Sequence, residues 1–161
     1  MTVLLNGGLP EPTQLLGSWH ITHTTFPMWR DKTNITVNYT AIPNSAQLDD
    51  LVSYDVGTPP KQKSIHGYDT PSTQQGLYTW VGAGWMRVAK SVWEIVGFKE
   101  GEWMVTYAQK SMFSPAGLII YSKTTDGLSE ETVEGIKKAL ANLENEEAKG
   151  LVASFYETKR E

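Results

Sequence analysis

The feature that most constrains this chain is a repeated one: about eight short stretches in which apolar and polar residues take turns, parted by clusters of Gly, Pro, Asn and Ser of hairpin size. A period of two is what a β-strand requires, because successive side chains leave opposite faces of the ribbon. Thr33 to Ile42 shows it most cleanly, with Ile35, Val37, Tyr39 and Ala41 on one face and Asn34, Thr36, Asn38 and Thr40 on the other. Further strands are predicted over Leu15 to Phe26, Leu48 to Asp55, Lys63 to Asp69, Leu77 to Trp85, Val92 to Phe98, Glu102 to Phe113 and Gly117 to Thr124. Pro43-Asn44-Ser45, Gly57-Thr58-Pro59-Pro60 and Lys99-Glu100-Gly101 supply turns between them. Strands that follow one another through such short connections form an up-and-down barrel or a sandwich.

After the last strand the period changes. Ser129 can cap a helix, Glu130 and Glu131 suit its positive end, and Val133, Ile136, Leu140 and Leu143 fall on one side, so a helix over 129–143 should lay one stripe against the sheet. A second helix or extension is expected over 145–156, weakened by Gly150, which costs a helix about 1 kcal/mol. Residues 1–14 carry prolines and paired glycines with little periodicity and read as an arm outside the barrel. The division expected is one domain over 1–161, with the barrel at 15–124.

Composition removes several function classes. Fourteen Lys and Arg against eighteen Asp and Glu give a net charge of -4, and no basic cluster is present to neutralise a row of phosphates, so nucleic acid is not expected as a partner. There is no cysteine, no charged-then-apolar leader before Gly17, and no apolar run near the ~20 residues of a membrane span. The expectation is a cytoplasmic protein without a membrane span, with an oligomer left open. Asn34-Ile35-Thr36 and Asn38-Tyr39-Thr40 fit the glycosylation triplet but read as chance matches in a Thr-rich strand. Six Trp and seven Tyr against four Phe are an excess of aromatic residues with a polar tip, useful to a core and to a binding pocket alike.

The first strand opens Gly17-Ser18-Trp19, and the last runs into the helix as Ile119-Ile120-Tyr121-Ser122-Lys123-Thr124-Thr125-Asp126-Gly127-Leu128-Ser129-Glu130. Gly-x-Trp resembles the first motif of the lipocalin and calycin barrels, and the second stretch is similar to the last-strand-to-helix join of bacterial-type lipocalins. Two departures stand out: Lys123 occupies the place of the arginine that stacks on the tryptophan in that family, and the central Thr-Asp-Tyr signature is not evident around Val105-Thr106-Tyr107. The whole chain also looks like the small lipocalin-like proteins of fungi, some of which act on natural-product intermediates. The resemblance implies a mainly β fold, an eight-stranded antiparallel barrel with a flanking C-terminal helix, in which Trp19 closes the bottom of a cup.

What such a cup could do rests on isolated polar groups among apolar walls. Strict alternation from Trp19 puts His23 on the same inward face, where it would either move protons near neutral pH or rest as a hydrogen-bonded core histidine. Glu94 lies inside Val92-Trp93-Glu94-Ile95-Val96; facing inward it would be a desolvated acid, facing outward a solvated charge. These two are the catalytic candidates. Phe26, Trp29, Tyr39, Tyr78, Trp80 and Tyr107 are the candidate ligand-binding residues, with Phe26, Met28 and Trp29 in a connection that suits a lid over the mouth. No metal site is expected: His20 and His23, three apart, should face opposite sides of the strand, and no carboxylate cluster completes a site. No Gly-x-Ser-x-Gly elbow occurs, so hydrolysis is not expected either. The function these residues and the resemblance imply is a cofactor-independent enzyme that holds an apolar, aromatic or polyketide-like molecule and promotes a proton-assisted cyclisation or isomerisation. The alternative is a carrier of a small hydrophobic ligand.

Overall fold

Alternation over short segments becomes a wall that closes on itself. A computed structural model describes residues 4–5 and 8–161, and so leaves residues 1–3, 6 and 7 of the N-terminal arm outside the described residues. The strands are β1 (Leu4–Leu5), β2 (Gly17–Thr24), β3 (Lys32–Ala41), β4 (Leu48–Val56), β5 (Lys61–Pro71), β6 (Leu77–Gly82), β7 (Lys90–Lys99), β8 (Trp103–Ala108), β9 (Gly117–Ser122) and β10 (Tyr156–Glu157); the helices are α1 (Glu130–Leu140) and α2 (Glu146–Leu151). From β2 to β9 each strand pairs antiparallel with the next, and β9 pairs back onto β2. The result is the expected eight-stranded antiparallel barrel of lipocalin type with a helix on its outside.

Two strands are shorter than their sequence pattern. β6 stops at Gly82, and Gly84, at φ +61°, turns the chain into a short 3-10 helix over Gly84–Val88. β8 stops at Ala108, where the polar run Gln109-Lys110-Ser111 ends the apolar strand, and 109–116 crosses the rim as a loop. The N-terminal arm is tied to the barrel. β1 pairs in parallel with Gly97 and Phe98 of β7, beyond the point at Glu94 where the β6–β7 pairing ends, and Leu15 is fully buried.

Apolar residues form two layers. Inside the barrel Trp19, Ile21, Ile35, Val37, Tyr39, Trp93 and Tyr121 are among a continuous core. Outside it, Val133, Ile136 and Leu140 of α1 cover Val105, Leu118 and Ile120 of β8 and β9. The stripe read from the sequence is the buried one, and Ser129 caps the helix by accepting from the Thr132 N–H at 3.1 Å. The second segment is helical only over α2; past Gly150 the chain unwinds, and β10 pairs antiparallel with His23 and Thr24.

The floor is built around Trp19, which is 0% exposed. Its Nε1 donates to the Leu15 carbonyl at 2.8 Å, and Lys123 Nζ stands 4.4 Å from its ring centroid while donating to the Leu16 carbonyl at 2.9 Å. Lys123 thus combines a cation over the ring with a hydrogen bond that fixes its position. Phe98 and the edge of Tyr121 complete the packing around the indole.

Candidate functional site

Register decides which side chains reach the interior, and it slips in three strands, at Ile21/His23 of β2, Thr33/Thr36 of β3 and Ile95/Gly97 of β7. A bulge between Ile21 and His23 inserts Thr22, so that Ile21 still faces Tyr121 while His23 comes to lie opposite Ile120, whose side chain packs on the outer wall. One extra residue sends every later side chain to the other face. His23 is therefore outside the cup, buried at 8% exposure between the wall and β10, with Nδ1 2.9 Å from Thr22 Oγ1 and Nε2 3.5 Å from Glu157. Desolvation holds its pKa below the usual histidine value, against the smaller opposing pull of Glu157. His20 shares this outer face, contrary to strict alternation, yet among the described residues no cluster of His, Asp and Glu suits a metal ion.

Glu94 is also outside. It pairs with Tyr107, and Tyr107 belongs to the outer layer, its hydroxyl donating to Glu147 Oε1 of α2 at 2.5 Å. The strand is apolar because both its faces are covered, the inner by the barrel core and the outer by the helical segment, so an apolar run could not tell which face carried the acid. His23, Glu94 and Tyr107 consequently do not meet one another around a ligand space.

The interior holds a cavity of about 290 Å³. It sits away from the floor: Ile21, Val37, Val52, Ile65 and Ile119 form its aliphatic wall, and Phe26, Trp29, Tyr39, Trp80, Trp93 and Tyr121 its aromatic one. Four of the six predicted ligand-binding residues, Phe26, Trp29, Tyr39 and Trp80, line it. Tyr78 lies one layer back, stacked on Trp93 at 4.5 Å and 14°, while Tyr39 flanks the same indole at 6.4 Å. Two glycines make room for the rings. A Cβ on Gly67 would collide with the Trp80 indole, and one on Gly117 with the Phe26 ring, so both rings lie flat against bare backbone.

Over the mouth, Phe26 and Trp29 are buried by the 3-10 turn Pro27–Trp29, and Met28 is partly exposed. The Tyr156 hydroxyl donates to the Phe26 carbonyl, and the Arg30 guanidinium covers the Tyr156 ring at 3.9 Å, so this connection is pinned by the C-terminal segment. Met86 and Phe113 reach the cavity from the two rim loops, next to the strongly exposed Trp85 and Met112.

The polar end of the cup is one that sequence reasoning missed. Asp50, 6% exposed, lines the cavity, and Asp69, 0% exposed, lies behind it. The two carboxyls hydrogen-bond to each other, and Trp93 Nε1 donates to Asp69 Oδ1 at 2.9 Å. No N–H or O–H donor of the described residues reaches Asp50 Oδ1 or Asp69 Oδ2. Burial first, and the Asp69 charge second, push the Asp50 carboxyl well above the usual carboxylate range. Burial raises Asp69 too, but its hydrogen bonds from Asp50 and Trp93 work against the rise. Desolvation likewise raises Tyr39 and Tyr121, and lifts Tyr78 to about 12, leaving every phenol here neutral. Asp49 leaves the other face of β4 and meets His66 Nε2 at 2.6 Å. The signal was in the alternation: Leu48, Asp50 and Val52 share a face, and Tyr39, read as inward, lies directly across from Asp50.

No protein-family model and no curated protein sequence matches the chain. Among solved structures it is similar to apocrustacyanin C2 (TM-score 0.68, 12% identity, 92% of this chain and 78% of that one) and to lobster apocrustacyanin A1 (0.66, 12%, 92% and 79%). It is also similar to Per a 4, a major allergen from cockroaches (0.66, 14%, 99% and 96%). At these identities the likeness is one of fold. Among the described residues no helix is long and apolar enough to cross a membrane.

Proposed function

We propose that the protein binds a small, largely apolar, aromatic molecule inside its barrel. The observation that carries this is the cavity: about 290 Å³ lined mainly by aromatic and aliphatic side chains, with the buried Asp50 carboxyl among them. A space of that size and lining, near the lower end of the roughly 300–1,000 Å³ usual for ligand pockets, is the normal form of a small-molecule site. The wall keeps large apolar surfaces desolvated and in place before any ligand arrives, which limits the ordering cost of binding. The test is a calorimetric titration with a neutral two-ring probe, 2-naphthylmethanol. Saturable one-to-one binding with a negative heat-capacity change is expected; no binding up to the probe's solubility limit would reject the reading.

A second reading, cofactor-independent and proton-assisted cyclisation or isomerisation of the bound molecule as in natural-product pathways, is favoured by one observation. A carboxyl pair that shares a proton beside an apolar ligand space can take up or release that proton during a reaction. In this reading Asp50 and Asp69 stand where His23 and Glu94 were expected. Product analysis after incubation with aromatic β-diketone probes tests this. Conversion that Asp50→Asn slows by about 10²- to 10⁴-fold would support it, and probes returned unchanged would leave the binding reading alone.

A further inference from the structure

Resting on the reading of the cavity as a ligand site, the geometry points to the chemical class of the ligand: we infer that the cup selects an aromatic molecule carrying a protonated amine, whose ammonium docks on Asp50. Asp50 lines the cup with its Oδ1 unpartnered among the described residues, and Asp69 behind it has Oδ1 held by Trp93 and Oδ2 unpartnered; two buried carboxyls side by side do not both ionise, so they keep one proton between them. What the pair offers the cup is therefore acceptor oxygen and one negative charge. A ligand carboxylate would meet repulsion at this end.

The charge also lacks a partner. Among the described residues no Lys or Arg forms an ion pair with Asp50 or Asp69. Lys90 lines the cavity but belongs to its exposed rim, and His66, whose charge favours an ionised Asp50, is engaged by Asp49 on the outer face. A buried anion without a counter-ion is costly, and a cation that arrives with the ligand removes that cost. The neighbouring walls favour such a cation too. Tyr39, Trp93 and Tyr121 surround the carboxyl end, and the faces of electron-rich rings attract an ammonium once water has left. An aromatic body held by the upper wall and an ammonium held by Asp50 would use both halves of the cavity at once.

Three probes of one shape test this by calorimetry: 2-naphthylmethylamine, 2-naphthylmethanol and 2-naphthoate. The amine is expected to bind at least about tenfold more tightly than the alcohol, as a charge-assisted hydrogen bond in a dry site supports, and the carboxylate not at all. In the isosteric variant Asp50→Asn/Asp69→Asn the amine should lose that advantage over the alcohol, with circular dichroism reporting that the barrel is intact. If amine and alcohol bind the wild type equally, or the carboxylate binds as well as the amine, the inference fails and the cup remains a site for neutral molecules. If none of the three binds, the cavity is not a ligand site and both readings fall together.

Discussion

Trp19 is held by every kind of contact an indole can make: full burial, a hydrogen bond from Nε1 to Leu15, a cation over its ring from Lys123, and edge contacts with Tyr121 and Phe98. Nothing nearby is free to refill its place, so Trp19→Ala should cost about 3 to 5 kcal/mol in a denaturant titration; a loss below about 1 kcal/mol would mean that the floor is not closed by this ring. Asp50 is the opposite case, a titratable group whose charged form burial disfavours. In the unfolded chain it titrates near 3.8, and in the barrel well above that, because of burial and the Asp69 charge. Below the lower value both states hold the proton. As pH rises past it the unfolded chain releases the proton while the folded one keeps it, so this group's contribution to stability falls, by up to about 1.4 kcal/mol per pH unit, until the raised folded value is passed. Chemical unfolding of wild type and Asp50→Asn from about pH 4 to about pH 8 should show the difference between them shifting against the wild type with rising pH. Parallel pH profiles would show that the shared proton does not exist.

At the scale of elements, the bulge in β2 carries the lesson. Strand existence was legible because alternation survives a bulge on either side of it, and α1 was legible because its stripe of Val133, Ile136 and Leu140 and its Ser129 cap are local signals. Facing was legible only as far as the first slip: Trp19 and Ile21 were placed correctly, and His23, beyond the bulge in β2, was not. The bulge has no local sequence mark, since Thr22 is a good strand residue; what holds it is tertiary, the Thr158 hydroxyl of the C-terminal segment donating to the Ile21 carbonyl at 2.6 Å and the Thr158 N–H to that of Thr22 at 2.9 Å. Glu94 failed for a different reason, that β7 carries apolar residues on both sides, Trp93 and Ile95 in the barrel core and Val96 in the outer layer. Asp50 and Asp69 could have been found from register, and were hidden by the habit of reading an acid in a strand as solvent-facing. The placement of His23 gives a direct expectation. His23→Ala should leave the affinity for 2-naphthylmethanol unchanged within about twofold, since it removes no surface from the cavity, whereas a loss of tenfold or more would return the histidine to the cup.

For the molecule as a whole, the account assigns the two ends of the barrel different tasks: a floor locked by Trp19 and Lys123, and an upper cavity whose aromatic wall ends at a proton-sharing acid pair. The helices and β10 lie on the outside of the wall, and the connections over the mouth are the expected route for a ligand. That rim also exposes Trp85 at 87% and Met112 at 89%, an apolar surface on which a greasy probe could settle without entering the barrel. The central claim is that binding occurs inside, and a substitution that fills the cavity separates the two places. Ala108 lines the cup beside Trp93 and can project a large ring into it. The decisive measurement is a fluorescence titration of the neutral solvatochromic naphthalene probe Prodan against wild type and Ala108→Trp, with circular dichroism confirming that the variant keeps its β-structure. The account predicts a saturable blue shift with the wild type that the folded variant abolishes or weakens by at least about tenfold; an equal blue shift with both proteins would place the probe on the rim and contradict the cup as the binding site.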